Sequence, residues 1–152
     1  MIQVKDVVKS FDGNVVLDHV SADFEDGKVN MIIGQSGSGK TVLMKSMIGL
    51  HLIDGGEIVF DTRTGQQNLA GMSEKEVRLL HREVGVLFQG AALFDSMTVQ
   101  ENVMYPLEMF SDMTDEEKVE RARFCLERVN MPERAFGLMP SEISGGMQKR
   151  VA

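Results

Sequence analysis

With 152 residues, 43% of them hydrophobic and 26% charged, the chain has the composition of a globular domain or of a piece of a larger one, not of a disordered or fibrous protein. A net charge of -7 and a pI near 5.0 disfavour loose, charge-driven binding to nucleic acid. The single cysteine, Cys125, excludes an internal disulfide framework and suits a reducing compartment.

The first residues, MIQVKDVVKSF, are charged and lack the apolar core of a signal peptide. No run approaches the roughly 18 uncharged apolar residues that a membrane helix needs, so the chain is expected to have no membrane segment of its own. Ile2, Val4, Val7 and Val8 predict a first strand. Asp12-Gly13-Asn14 predicts a tight hairpin turn into a second strand over residues 15–24, because Gly and Asn tolerate positive φ. Asp26-Gly27 makes another turn into the apolar run 29–33, which reads as a buried strand. A glycine-rich loop follows, then a helix over 41–50 with Leu43, Met47 and Leu50 on one face, closed by Asp54-Gly55-Gly56 before a strand over 57–60.

Residues 61–71 are polar with two glycines and predict a loop. Ser73 and Glu76 have the spacing of a capping box and start a helix to about Arg82. Residues 84–88 predict a second buried strand, ending at Gln89. From Ala91 onward the pattern is helical, with further capping boxes at Thr98/Glu101 and Thr114/Glu117. The second of these opens an amphipathic helix with Val119, Ala122, Leu126 and Val129 inward and an acidic first turn that complements the helix dipole. Cys125 beside that face reads as packing. Met97, Met104, Met109 and Met113 read as adaptable core filling, or as a soft groove for a short partner helix. His19, His51 and His81 read as surface or strand-end residues.

Gly34-Gln35-Ser36-Gly37-Ser38-Gly39-Lys40-Thr41 fits G-x-x-x-x-G-K-[ST]. Such a loop wraps successive backbone N–H groups around phosphates at a helix N-terminus. Its glycines are needed because the backbone must bend sharply and approach the phosphates closely. Lys40 is placed to reach the β- and γ-phosphates, and the Thr41 hydroxyl to hold Mg²⁺. An incidental glycine-rich turn would need neither the apolar run before it nor the helix after it. Farther on, Ser144 can cap a helix while Gly145 and Gly146 leave backbone N–H groups bare, the makings of an anion site.

Together with Ile143-Ser144-Gly145-Gly146-Met147-Gln148, Leu87-Phe88-Gln89, Leu93-Phe94 and Met97-Thr98-Val99-Gln100-Glu101-Asn102-Val103, this loop makes the whole chain resemble the ATP-binding cassette (ABC) ATPases. The resemblance implies an α/β P-loop NTPase core with an N-terminal antiparallel β subdomain over residues 1–90. A helical subdomain over 91–152 would end in the signature motif, the cassette being incomplete at its C-terminus. It implies ATP and Mg²⁺ as cofactors, with Phe11 stacked on adenine and Val16, Gly34, Ser36, Gly37, Ser38, Gly39, Lys40, Thr41 and Val42 around the nucleotide. Thr41 and Gln89 would serve Mg²⁺, with Gln89 also near the attacking water. Ser144, Gly145 and Gly146 would reach the γ-phosphate held by a second copy, so that ATP is sandwiched in a homodimer of cassettes. Met147 stands where the family usually has Gln.

The stretch from Leu87-Phe88-Gln89-Gly90-Ala91-Ala92 to Leu93-Phe94-Asp95-Ser96-Met97, with Tyr105-Pro106-Leu107 and Ser144-Gly145-Gly146-Met147, resembles one branch in particular. These are the ATPases of bacterial Mla-type (mammalian-cell-entry) phospholipid transporters. In them the ATPase docks beneath a membrane permease, peripheral to the cytoplasmic face of the inner membrane. An amino-acid or metal importer ATPase is the neighbouring alternative. A non-transport ABC ATPase acting on nucleic acid or ribosomes is the other, disfavoured by the acidic balance and the ordinary length between Gln89 and Ser144. The family's water-polarising Asp-Glu and its later histidine lie in elements that these residues do not contain. The expectation is therefore weak Mg-ATP binding without turnover, and unpaired edges at 29–33 and 84–88 that favour aggregation.

Overall fold

The structure is a computed structural model that describes residues 1–62 and 65–152. It divides into two compact units, Met1–Gly85 and Val86–Ala152.

The first unit is built on an antiparallel sheet in the order β2-β1-β3-β4, formed by β1 (Ile2–Phe11), β2 (Asn14–Phe24), β3 (Gly55–Thr62) and β4 (Gly65–Asn68). The hairpin forms as its turn residues demand. Phe11 pairs with Asn14, and Asp12 and Gly13 take φ of 48° and 82°, the two positive values of a two-residue hairpin. Val4 and Val7 are both buried although their spacing would put them on opposite faces of a regular strand. A register shift between them, with Asp6 at φ 52°, turns both inward. The Asp6 N–H donates to Ser21 Oγ at 2.9 Å. Beside the same bulge Gly56 sits at φ 83°, where a Cβ would come within 2.3 Å of the Asp6 carbonyl oxygen, so this position requires glycine.

Two helices complete this unit, α1 (Lys40–Met47) and α2 (Glu74–Glu83), together with a short 3₁₀ turn at Leu69–Gly71. Leu43 and Met47 of α1 join Val4, Val7, Leu17, Ile58, Phe60 and Leu80 in one core. The helix ends earlier than the apolar spacing predicts. Gly49 at φ 74° lets its own N–H reach the Ser46 carbonyl and the Leu50 N–H reach that of Lys45, a Schellman stop. Leu50 is left outside the helix and about half exposed. Within the stretch predicted as a loop, residues 65–68 form β4 and residues 69–71 the 3₁₀ turn; residues 63 and 64 lie outside the described residues.

Two predicted strands are absent from the sheet. Residues 29–33 and 84–88 run without ladder partners among the described residues. Ile32 and Val84 pack against the core, while Val29, Met31, Ile33, Leu87 and Phe88 face outward. An apolar run becomes a strand only where another backbone pairs with it, so hydrophobicity alone does not produce one.

The second unit comprises α3 (Val99–Phe110), α4 (Asp115–Arg128) and α5 (Gly145–Val151), with 3₁₀ turns at Glu133–Ala135 and Pro140–Glu142. Its core is Val99, Leu126, Met131, Ala135, Phe136 and Ile143. All three predicted capping boxes are present, at Ser73/Glu76, Thr98/Glu101 and Thr114/Glu117. Ala122 and Leu126 are buried on α4 as expected, with Val119 and Cys125 half-buried. Met97 and Met104 are half-buried, whereas Met109 and Met113 are exposed.

Candidate nucleotide-binding site

The glycine-rich loop leads directly into α1, as its sequence requires. Gly37 and Gly39 take φ of 81° and 86°, values that L side chains rarely adopt. A Cβ on Gly39 would meet the Val16 carbonyl at 2.9 Å and Leu17 Cδ2 at 3.1 Å; one on Gly34 would meet Ser38 Oγ at 2.7 Å. Side chains at Gly34 and Gly39 would therefore crowd the loop, and glycine leaves its backbone bare at both positions. Its turn is held by the Ser38 N–H bonding the Gln35 carbonyl at 3.2 Å. Lys40 folds back on the loop, donating from Nζ to the carbonyls of Gly34 at 2.9 Å and Gln35 at 2.6 Å.

The start of α1 differs from those of the other long helices. α2, α3 and α4 each begin with a capping side chain and acidic residues in the first turn. α1 begins at Gly39 with no side-chain cap and no acidic residue in its first turn. The N–H groups there have no intrahelical partner, and the positive end of the helix dipole is not neutralised locally. A polyanion approaching this end meets free donors, the Lys40 ammonium and the exposed hydroxyl of Thr41. These residues fit a triphosphate with its divalent cation: nitrogen donors and a cationic side chain for phosphate oxygens, and one hard hydroxyl oxygen for Mg²⁺. Val16 of β2, whose carbonyl leaves no room for a Cβ on Gly39, and Val42 of α1, packed against the core, lie in the elements that flank the loop.

The chain belongs to the ABC transporter family. That family's profile matches residues 17–152. The chain is 34% identical to a methionine import ATP-binding protein of Rhizobium johnstonii, with 99% of this chain and 40% of the relative covered. It is 33% identical to the intermembrane phospholipid transport system ATP-binding protein of Haemophilus influenzae, with 100% and 56% covered. The chain thus spans about half, or less, of the length of these curated relatives. A solved dimeric ATP-binding cassette in a post-hydrolysis state, bound to ADP and Pi, superposes with a TM-score of 0.85 at 29% identity, covering 99% of this chain and 66% of that one. The α/β fold of the ABC ATPase cassette is shared, and the described residues form part of it.

The other family positions fall as follows. Phe11 closes β1, with 39% of its surface exposed and its ring edge-on to His51. Gln89 belongs to the second unit and lies, exposed, in a turn rather than at the end of a strand. Ser144 caps α5, its Oγ accepting from the Met147 N–H at 3.3 Å, and Gly145 and Gly146 stand exposed in the first turn. Two side chains anchor α5. Gln148 Nε2 donates to the Pro140 carbonyl at 2.8 Å, and Arg150 donates to the Val129 and Asn130 carbonyls at the C-terminal end of α4. Met147 packs against the core of the second unit and Gln148 is engaged inward, so neither offers the free side-chain amide usual beside this signature.

The histidines are more engaged than surface positions suggest. His19 Nδ1 pairs with Asp6 at 2.8 Å, His81 Nε2 donates to the Ile48 carbonyl at 2.6 Å near the end of α1, and His51 packs on Phe11. Sequence reading missed the group around Phe11, namely Lys9, His51 and Asp54. Lys9 was recoverable, since residues two apart on a strand share a face. His51 and Asp54 come from a distant segment and left no local signal.

Proposed function

We propose that this chain is the nucleotide-binding part of an ABC transporter ATPase, which couples ATP binding and hydrolysis to movement of a substrate through a membrane permease. The observation that carries the reading is the uncapped, glycine-cradled start of α1 with Lys40 folded against it. Lys40 would leave the loop carbonyls for the β- and γ-phosphates, and Gly34, Ser36, Gly37, Ser38 and Gly39 would offer backbone to them. Thr41 would hold Mg²⁺, and the bound Mg²⁺ would neutralise charge on the phosphate oxygens. Phe11 would stack on adenine. Ser144, Gly145 and Gly146 would close on the γ-phosphate of a second copy, which supports an ATP-bound homodimer. The solved relative in dimeric form is consistent with this.

The substrate we propose is phospholipid. The motif-level resemblance around Gln89 and Ser144 supports it, and so does the match to the phospholipid transport relative. A methionine import relative at the same level of identity favours an amino-acid importer as the second reading. No helix among the described residues is long and apolar enough to cross a membrane, in keeping with a peripheral subunit at the cytoplasmic face of the inner membrane that works through a permease.

These 152 residues hold no Asp-Glu pair following an apolar strand after the signature, so we propose that alone they bind nucleotide without turning it over. The test is Mg-ATP turnover by the chain against Lys40→Ala. No turnover above the variant is expected. Turnover that depends on Lys40 would place a water-activating carboxylate within these residues and contradict the reading.

A further inference from the structure

We propose that His51 is a positioning residue for the Phe11 ring, with Lys9 and Asp54 completing its support, and so a determinant of how tightly the base is held. The proposal rests on reading Phe11 as the residue that stacks on adenine.

Phe11 is the last residue of β1, beside the hairpin turn, and on an exposed strand end an aromatic ring is free to change rotamer. Here three groups from two segments restrict it. His51 lies between α1 and β3, its ring centroid 5.4 Å from that of Phe11 and inclined by 76°, the edge-to-face arrangement in which one ring's positive edge meets the other's negative face. Lys9 Nζ lies 5.2 Å from the Phe11 centroid, in cation–π range. That ammonium is itself fixed by Asp54 Oδ1 at 2.7 Å. The other oxygen of Asp54 accepts from the Ser10 N–H at 2.6 Å and Ser10 Oγ at 2.7 Å, while the Asp54 N–H donates to the Val8 carbonyl at 2.8 Å. Asp54 thus ties the segment carrying His51 to the end of β1 through both backbone and side chain, which brings His51 against Phe11. The ring keeps 39% of its surface open to a ligand. A ring fixed before binding loses less freedom when a base stacks on it, so its support contributes to affinity without touching the ligand.

The support acts on the base and not on the phosphates, and stacking is blind to base identity. His51→Ala is expected to weaken binding of both Mg-ATP and Mg-GTP by about two- to tenfold, the worth of one aromatic pair. Binding of inorganic tripolyphosphate should stay unchanged, which also reports an intact fold, and His51→Phe, which keeps a ring at the contact, should restore ATP affinity. Three results would overturn the proposal: ATP affinity unaltered in His51→Ala, ATP and tripolyphosphate weakened equally, or no rescue by His51→Phe. Phe11→Ala, measured alongside, separates the two levels. If it weakens ATP while His51→Ala does not, only the positioning role fails; if it too leaves ATP affinity unchanged, the stacking reading fails and this inference with it.

Discussion

Asp54 illustrates how much one exposed carboxylate can organise. The Lys9 side chain first, then the hydroxyl and N–H of Ser10, hold its pKa down to about 2. A lowered carboxylate pKa means that the folded state binds the proton less readily than the unfolded chain. The contribution of these bonds is therefore complete above the ordinary value of 3.8 and lost as pH falls through about 2. Asp54→Asn should lower the melting temperature at pH 6, and the gap to the parent chain should close as pH is taken from 4 toward 2. A gap that stays constant over that range in thermal melts would show that charge on Asp54 is not what stabilises the site. At this scale the backbone of the glycine-rich loop was legible from the sequence. Gly37 and Gly39 are glycine for reasons of local backbone geometry, and local geometry is written in consecutive residues.

At the scale of elements, the helices confirm how local their signals are. In α3 the Glu101 carboxylate accepts from the Thr98 N–H at 2.7 Å and Thr98 Oγ at 2.8 Å, and Thr98 Oγ accepts from the Glu101 N–H at 3.3 Å. The next two N–H groups, of Val99 and Gln100, donate to the carbonyls of Leu138 and Phe136, so this helix start is fully engaged. Thr98→Ala should cost about 1 kcal/mol in denaturant unfolding, and Thr98→Ser almost none. Equal losses in the two variants would mean that the hydroxyl bond is not what matters there. A capping box spans four residues and reads directly from the chain. The two predicted strands at 29–33 and 84–88 do not, because a strand depends on a partner that a run of Val, Met and Ile does not name. The stop of α1 at Gly49 was legible in principle, since Gly followed by an apolar residue is the mark of a Schellman turn, but the apolar spacing of Leu43, Met47 and Leu50 masked it.

At the scale of the whole molecule, two compact units each carry their own core, and the apolar row at 29–33 is largely left outside both. Val29, Met31 and Ile33 are 95%, 76% and 84% exposed, with Ile32 between them turned inward. Alternate exposed apolar residues beside unpaired backbone form a surface that recruits other chains. The 152-residue chain should therefore bind apolar dyes and self-associate, and Met31→Lys with Ile33→Lys should reduce both without lowering the stability of the core. A sharp-melting monomer that binds no dye would contradict this.

The central claim is that the start of α1 is a phosphate site, and Mg-ATP binding by calorimetry to the chain and to Lys40→Ala tests it most directly. Removing one charge-assisted donor of about 2 kcal/mol predicts roughly thirtyfold weaker binding in the variant. Equal affinity in the two would mean that the loop at Gly34–Thr41 does not hold the nucleotide.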